Sequence, residues 1–273
     1  MYRKRFGLTA HPLPKDVQGK TFCEASPSYQ KLARAFRQLA DEPGLGVLTA
    51  DAGIGKTAAL RHLCAALPRP DYLVLYLCDT AVSPLDLYRT LANELGVRAS
   101  HRRAQLWTDL KQTLVHLVDE RGTTPVVVLD EAQHLSDRFL IDLSGFLNFA
   151  FDSRDLVTLW LVGLPPLARH LRLQQHAPLA MRVVYQLHLE PLDRAGVAAL
   201  VDHALTAAGA TQTLLADPAR ELLYRASRGV PRLVAKLLRA ALREAHERNQ
   251  TFVDDHIMEA AIDAMAGAPR APA

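Results

Sequence analysis

The stretch Ala50-Asp51-Ala52-Gly53-Ile54-Gly55-Lys56-Thr57 decides how this chain is read. It follows the short apolar run Gly46-Val47-Leu48-Thr49-Ala50, a buried-strand pattern, and leads into helix-like sequence from Lys56 to Leu67. A strand, a glycine-containing loop and a helix in that order are the setting of a phosphate-binding loop. Gly53 and Gly55 let backbone N–H groups turn inward around phosphate oxygens. Lys56 is placed to reach the β- and γ-phosphates of ATP, and Thr57 to offer its hydroxyl to Mg²⁺. The expected nucleotide contacts are Ala50, Asp51, Ala52, Gly53, Ile54, Gly55, Lys56, Thr57 and Ala58. Ala50 stands where glycine is commoner.

A second element lies downstream. Val126-Val127-Val128-Leu129-Asp130-Glu131 is an apolar strand that ends in two carboxylates. In that position an aspartate holds Mg²⁺ through water, so Asp130 joins Thr57 as an expected metal contact. The adjacent Glu131 is suited to orient and polarise an attacking water. Gln133 either helps to position that water or is a surface glutamine.

Around these motifs, strands alternate with helices. Tyr72–Leu77 and Leu156–Val162 read as further strands, and helices are expected after Ser26-Pro27, after Ser83-Pro84 and over Ala104–Val118. Nearly continuous apolar strands argue for a parallel sheet covered on both faces. From Leu192 onward strand signals fade and helical patterns continue to Ala264. The expected architecture is α/β: a P-loop core with a parallel sheet flanked by helices over 1–191, a small all-helical lid over 192–265 and a flexible tail over 266–273. A chain of 273 residues with 22% charged and 49% hydrophobic residues is long enough to bury such a core. The net charge of +3 does not announce a nucleic-acid binder. Cys23, Cys64 and Cys78 lack metal-ligand spacing and read as reduced thiols. No apolar run reaches the length of a membrane span, and a cytoplasmic protein is expected.

Asp51–Thr57, Val126–Ser136 ("VVVLDEAQHLS"), Ser227–Leu238 ("SRGVPRLVAKLL") and the opening Met1–Asp16 together resemble AAA+ ATPases of the TniB/ExeA group. These are relatives of transposition helper ATPases and, more distantly, of origin-recognition ATPases. The resemblance spans nearly the whole chain and implies that Arg232 is the sensor-2 arginine that touches the γ-phosphate. It also implies an arginine finger ahead of the strand leading into the lid, where Arg182 is preferred over Arg169 and Arg172. A finger acts on a neighbouring subunit's ATP and so implies a homo-oligomer, a ring or a filament. With Glu131 and Lys56, Arg182 and Arg232 complete the expected catalytic set. One position departs from the pattern: where this group offers a polar sensor-1 side chain after the fourth strand, Leu164 stands in Gly163-Leu164-Pro165-Pro166. The N-terminal Phe6, Gly7 and Leu8 either cover the adenine, as the resemblance suggests, or pack in the core.

Transposition helpers and initiators place DNA-contacting residues between the second strand and the acidic pair. Here that interval holds Ser100-His101-Arg102-Arg103 and the helix carrying Trp107 and Lys111, so His101, Arg102, Arg103 and Lys111 are the expected contacts to double-stranded DNA phosphates. The leading functional expectation is an ATP-dependent, DNA-bound oligomer that recruits a transposase to target DNA. An ExeA-like secretion ATPase is the alternative. It is disfavoured on the expectation that such proteins carry a membrane segment and a further domain beyond the lid. An ATP-switched scaffold with little turnover is the third.

Overall fold

The computed structural model describes residues 2–16, 19–98 and 100–266. In chain order its elements are α1 (Tyr2–Arg5), α2 (Pro27–Asp41), β1 (Leu45–Thr49), α3 (Lys56–Ala65), β2 (Tyr72–Leu77), α4 (Pro84–Glu94), α5 (Arg103–Asp119), β3 (Thr124–Leu129), α6 (Asp137–Phe146), β4 (Thr158–Gly163), α7 (Pro166–His170), α8 (Ala177–Ala180), β5 (Val183–His188), α9 (Arg194–Ala207), α10 (Asp217–Ser227), α11 (Pro231–Glu247) and α12 (Asp255–Ala266). Two compact units share them: one gathers residues 31–52 and 63–189, the other 1–30, 53–62 and 190–273. Apart from Ala266, which ends α12, the tail expected over 266–273 lies outside the described residues.

The first unit holds a five-stranded sheet of order β2-β3-β4-β1-β5, every pair parallel. Because side chains alternate along a strand, each apolar run serves two faces at once. Val47, Leu77, Val127, Leu129, Leu159 and Leu161 enter a core shared with Leu91 of α4, Leu110 and Leu114 of α5 and Leu140 of α6. The intervening Leu48, Val126, Val128, Trp160 and Val162 are equally buried on the opposite face. There Phe36 of α2 stacks on Trp160, with ring centroids 5.8 Å apart. β5, at the sheet edge, alternates between half-buried and exposed residues. The parallel sheet flanked by helices that the sequence calls for is present.

Local signals set several helix starts. Ser83 caps α4, its hydroxyl accepting the Asp86 N–H at 3.3 Å, with Pro84 in the first turn. Ser136 caps α6 in the same way through the Phe139 N–H.

The second unit is helical around a separate core. α11 turns Val234, Leu237, Leu238, Ala241, Leu242 and Ala245 inward, a helical-period stripe. They join Val201 of α9, Leu223 of α10 and Ile257 and Met258 of α12. Tyr2, Phe6 and Leu8 belong to this core too. The two N-terminal apolar residues, which the sequence left between adenine cover and core packing, are thus buried among helices.

Trp160 is fully buried and carries the largest side chain of the sheet core. Replacing Trp160 with alanine should cost about 3–5 kcal/mol, read as a lower denaturation midpoint.

Candidate functional site

The parallel order brings the carboxyl ends of β3, β4 and β1 to one edge of the sheet. Asp130 leaves β3 there, its N–H donating to the Leu77 carbonyl at 2.8 Å, and is buried at 2% exposure. Both carboxylate oxygens are engaged. Oδ1 accepts the Glu131 N–H at 2.9 Å, and Oδ2 accepts the Tyr76 hydroxyl at 2.9 Å.

Glu131 adopts a left-handed backbone conformation, φ 53° and ψ 34°. A residue with a Cβ pays about 1–3 kcal/mol for such a position, which persists only where the surroundings over-determine it. They do so here. The Thr80 hydroxyl donates to the Glu131 carbonyl at 2.7 Å, and the Gln133 amide donates to Glu131 Oε2 at 2.7 Å. The carboxylate itself faces solvent. Gln133 also reaches the next strand: its Oε1 accepts the Leu164 N–H at 3.0 Å. Gly163 makes the room, because a Cβ there would lie 2.5 Å from that oxygen. So although the Leu164 side chain is apolar, the end of β4 is tied by a polar group to the glutamate after β3. Gln133 was legible as a candidate. Tyr76 and Thr80 were not, because they reach Asp130 and Glu131 across 54 and 51 residues of sequence.

In the helical unit, the loop from Gly53 meets the Gly229-Val230-Pro231-Arg232 turn. Gly53 and Gly55 sit at φ +87° and +108°, positions that strain any residue with a Cβ. Pro231 opens α11, so the Arg232 N–H has no intrahelical partner; it donates instead to the Gly53 carbonyl at 3.1 Å. A Cβ on Gly53 would approach that of Arg232 to 3.0 Å. Lys56 and Thr57 open α3 immediately after the loop; Lys56 is buried at 8% exposure and Arg232 is exposed. Within this unit the loop offers groups that fit a nucleotide's phosphates: glycines at positive φ, a lysine and a hydroxyl. Gly229 is held by its neighbours. Its carbonyl accepts the Leu192 N–H at 2.9 Å, and a Cβ would fall 1.9 Å from the Leu192 oxygen.

Arg182 immediately precedes β5 and its guanidinium pairs with Asp152. Arg169 and Arg172 are exposed. In the basic run, His101 and Arg102 are exposed, whereas Arg103 pairs with Asp142 at 2.7 Å and lies over Trp107, 4.9 Å from the ring centroid. Trp107 packs edge-on against Phe146. Lys111 donates to the Asn148 carbonyl and lies over Phe149, and burial draws its pKa below the usual lysine value.

The parallel sheet flanked by helices, with the glycine loop after β1, is the P-loop AAA+ fold, followed by a helical region. Residues 38–171 match the family model described as an AAA domain. Over 249 residues the chain is 30% identical to general secretion pathway protein A of Aeromonas hydrophila; the match takes in 91% of this chain and 45% of that protein, so the chain spans about half the relative's length. Among solved structures it resembles the Aeropyrum pernix ORC1 protein in complex with DNA, with a TM-score of 0.66 and 20% identity over 93% of this chain and 68% of that one. It also resembles the ORC2 protein of the same organism in ADPNP–ADP complexes, with a TM-score of 0.65 and 15% identity over 98% and 73%. No helix among the described residues is long and apolar enough to cross a membrane.

Gly229→Ala should destabilise the helical unit by at least about 2 kcal/mol, since a left-handed Cβ alone costs roughly 1–2 kcal/mol before the Leu192 carbonyl is displaced. Amide hydrogen exchange of α9–α12 measures it.

Proposed function

We propose that the protein binds ATP with Mg²⁺, hydrolyses it, and works as a homo-oligomer that engages duplex DNA and recruits a transposase to it. The observation that carries hydrolysis is Glu131, a strained glutamate held by three hydrogen bonds next to a buried aspartate. An acid needed only as a helix cap has no use for that conformation. Ala50–Ala58 bind the nucleotide, with Lys56 on the phosphates and Thr57 and Asp130 holding Mg²⁺. The cation, when bound, neutralises charge developing on the phosphoryl oxygens. Glu131 takes a proton from the attacking water. Gln133 supplies the polar group that Leu164 lacks, keeping the glutamate aimed and linking it to the end of β4. Arg232 senses the γ-phosphate. Arg182 is the preferred finger; its pairing with Asp152 means that it must exchange partners to act in a neighbour, while Arg169 and Arg172 are already exposed.

The resemblance of the Ser227–Leu238 and N-terminal motifs to transposition helpers supports the DNA reading, as does the fold shared with a DNA-bound ORC1 protein. His101 and Arg102 are its exposed contacts, with Arg103 and Lys111 contributing by leaving their internal partners. The second reading is an ATPase of a secretion apparatus, favoured by the 30% identity to general secretion pathway protein A.

Lys56→Ala should abolish ATP binding, measured by nucleotide titration. Glu131→Gln should lower turnover by about 10²–10⁴-fold with binding retained. Gln133→Ala should reduce kcat by about 10–100-fold while leaving ATP affinity unchanged; an unaltered kcat would remove its role. Duplex DNA should raise both hydrolysis and particle size, in a salt-sensitive manner, and Arg182→Ala should abolish that stimulation. ATPase activity indifferent to DNA would favour the secretion reading.

A further inference from the structure

Asp137, His170 and His176, none of them assigned a role above, converge on one point of the sheet unit. Asp137 is the first residue of α6, His170 the last of α7, and His176 ends the short 3₁₀ helix Gln174–His176. Nε2 of His170 lies 2.5 Å from Asp137 Oδ1, and Nε2 of His176 lies 2.9 Å from the same oxygen. The two rings meet edge to face, with centroids 5.0 Å apart and planes at 85°. Three ligand atoms of zinc-binding type from three separate elements thus lie within 4.8 Å of one another.

We propose that this cluster is a divalent-cation site, with zinc as its ion. Zinc prefers imidazole nitrogen together with carboxylate oxygen, and sites with three protein ligands leave a fourth position for water. The burial gradient suits it. The His176 side chain is fully buried, His170 is 24% exposed, and Asp137 is 54% exposed and opens the cluster to solvent. Nε2 of the buried His176 faces Asp137, while its Nδ1 has no hydrogen-bond partner among the described residues. A helix-capping aspartate would need no imidazole at all.

Tetrahedral bonds of about 2.0–2.1 Å separate ligand atoms by about 3.3 Å. The two histidine–carboxylate separations must therefore open by less than about 1 Å, a movement available to an exposed carboxylate at a helix start. The bound ion would clip the segment after β3 to the segment after β4, the two segments that Gln133 already links. The proposal does not depend on ATP hydrolysis.

The test uses the full, untagged chain without nucleotide, in excess Mg²⁺. Zinc titration by calorimetry should give a single equivalent of tight binding, and Co²⁺ should give the visible spectrum of a four-coordinate nitrogen–oxygen site without a thiolate charge-transfer band. Asp137→Asn and His170→Ala, both at accessible positions, should each weaken binding by at least about tenfold while leaving the circular dichroism spectrum unchanged. Absence of zinc binding, a thiolate band in the cobalt form, or unchanged affinity in both variants would each overturn the site and leave a plain histidine–carboxylate hydrogen-bond network.

Discussion

The parallel ladder β3–β4–β1 is the constraint on which the rest of the sheet unit depends. Parallel strands all end on the same edge, so pairing Val127 with Leu159 and Leu48 with Val162 fixes where three loops emerge. Asp130 leaves β3, Gly163-Leu164 leave β4, and Ala50 leaves β1 with its N–H donating to the Gly163 carbonyl at 3.2 Å. A register slip of one residue would turn Val126, Val128 and Trp160 to the wrong face and move all three loop starts. Two-sided burial prevents that slip, so the same apolar packing that stabilises the unit also positions its chemistry.

At that edge, stability has been exchanged for geometry. Glu131 occupies a conformation that its own side chain disfavours, and Asp130 is buried with both oxygens engaged. Such positions persist because hydrogen bonds from Tyr76, Thr80 and Gln133 outweigh the local strain. Gln133 also changes the meaning of Leu164. A missing polar side chain after β4 reads from sequence as a deficit, yet a glutamine 31 residues earlier accepts the Leu164 N–H and carries the polar contact on its own side chain.

The helical unit shows a related economy. The first turn of a helix always presents unpaired N–H groups. In α11 the N–H of Arg232 meets the Gly53 carbonyl of the phosphate loop, and Gly229 passes so close to the Leu192 carbonyl that a side chain has no place. Glycine in that turn answers a steric demand, and proline opens the helix whose next N–H reaches the loop.

By itself, the sequence determined what repeats or reacts locally. The phosphate loop between strand and helix, the acidic pair ending an apolar run, the capping serines and the period of α11 all depend on neighbours a few residues apart. The parallel sheet followed from those elements. What the tertiary structure alone decided are the contacts that span the chain. These include the grip of Tyr76 and Thr80 on the acidic pair, the bridge from Gln133 to Leu164, and the meeting of Asp137 with His170 and His176. It also sent Phe6 and Leu8 into the helical core and engaged Arg103 and Lys111 within the sheet unit. No periodicity encodes such pairings, because they arise only when separate strands end at one edge and separate helices share one core.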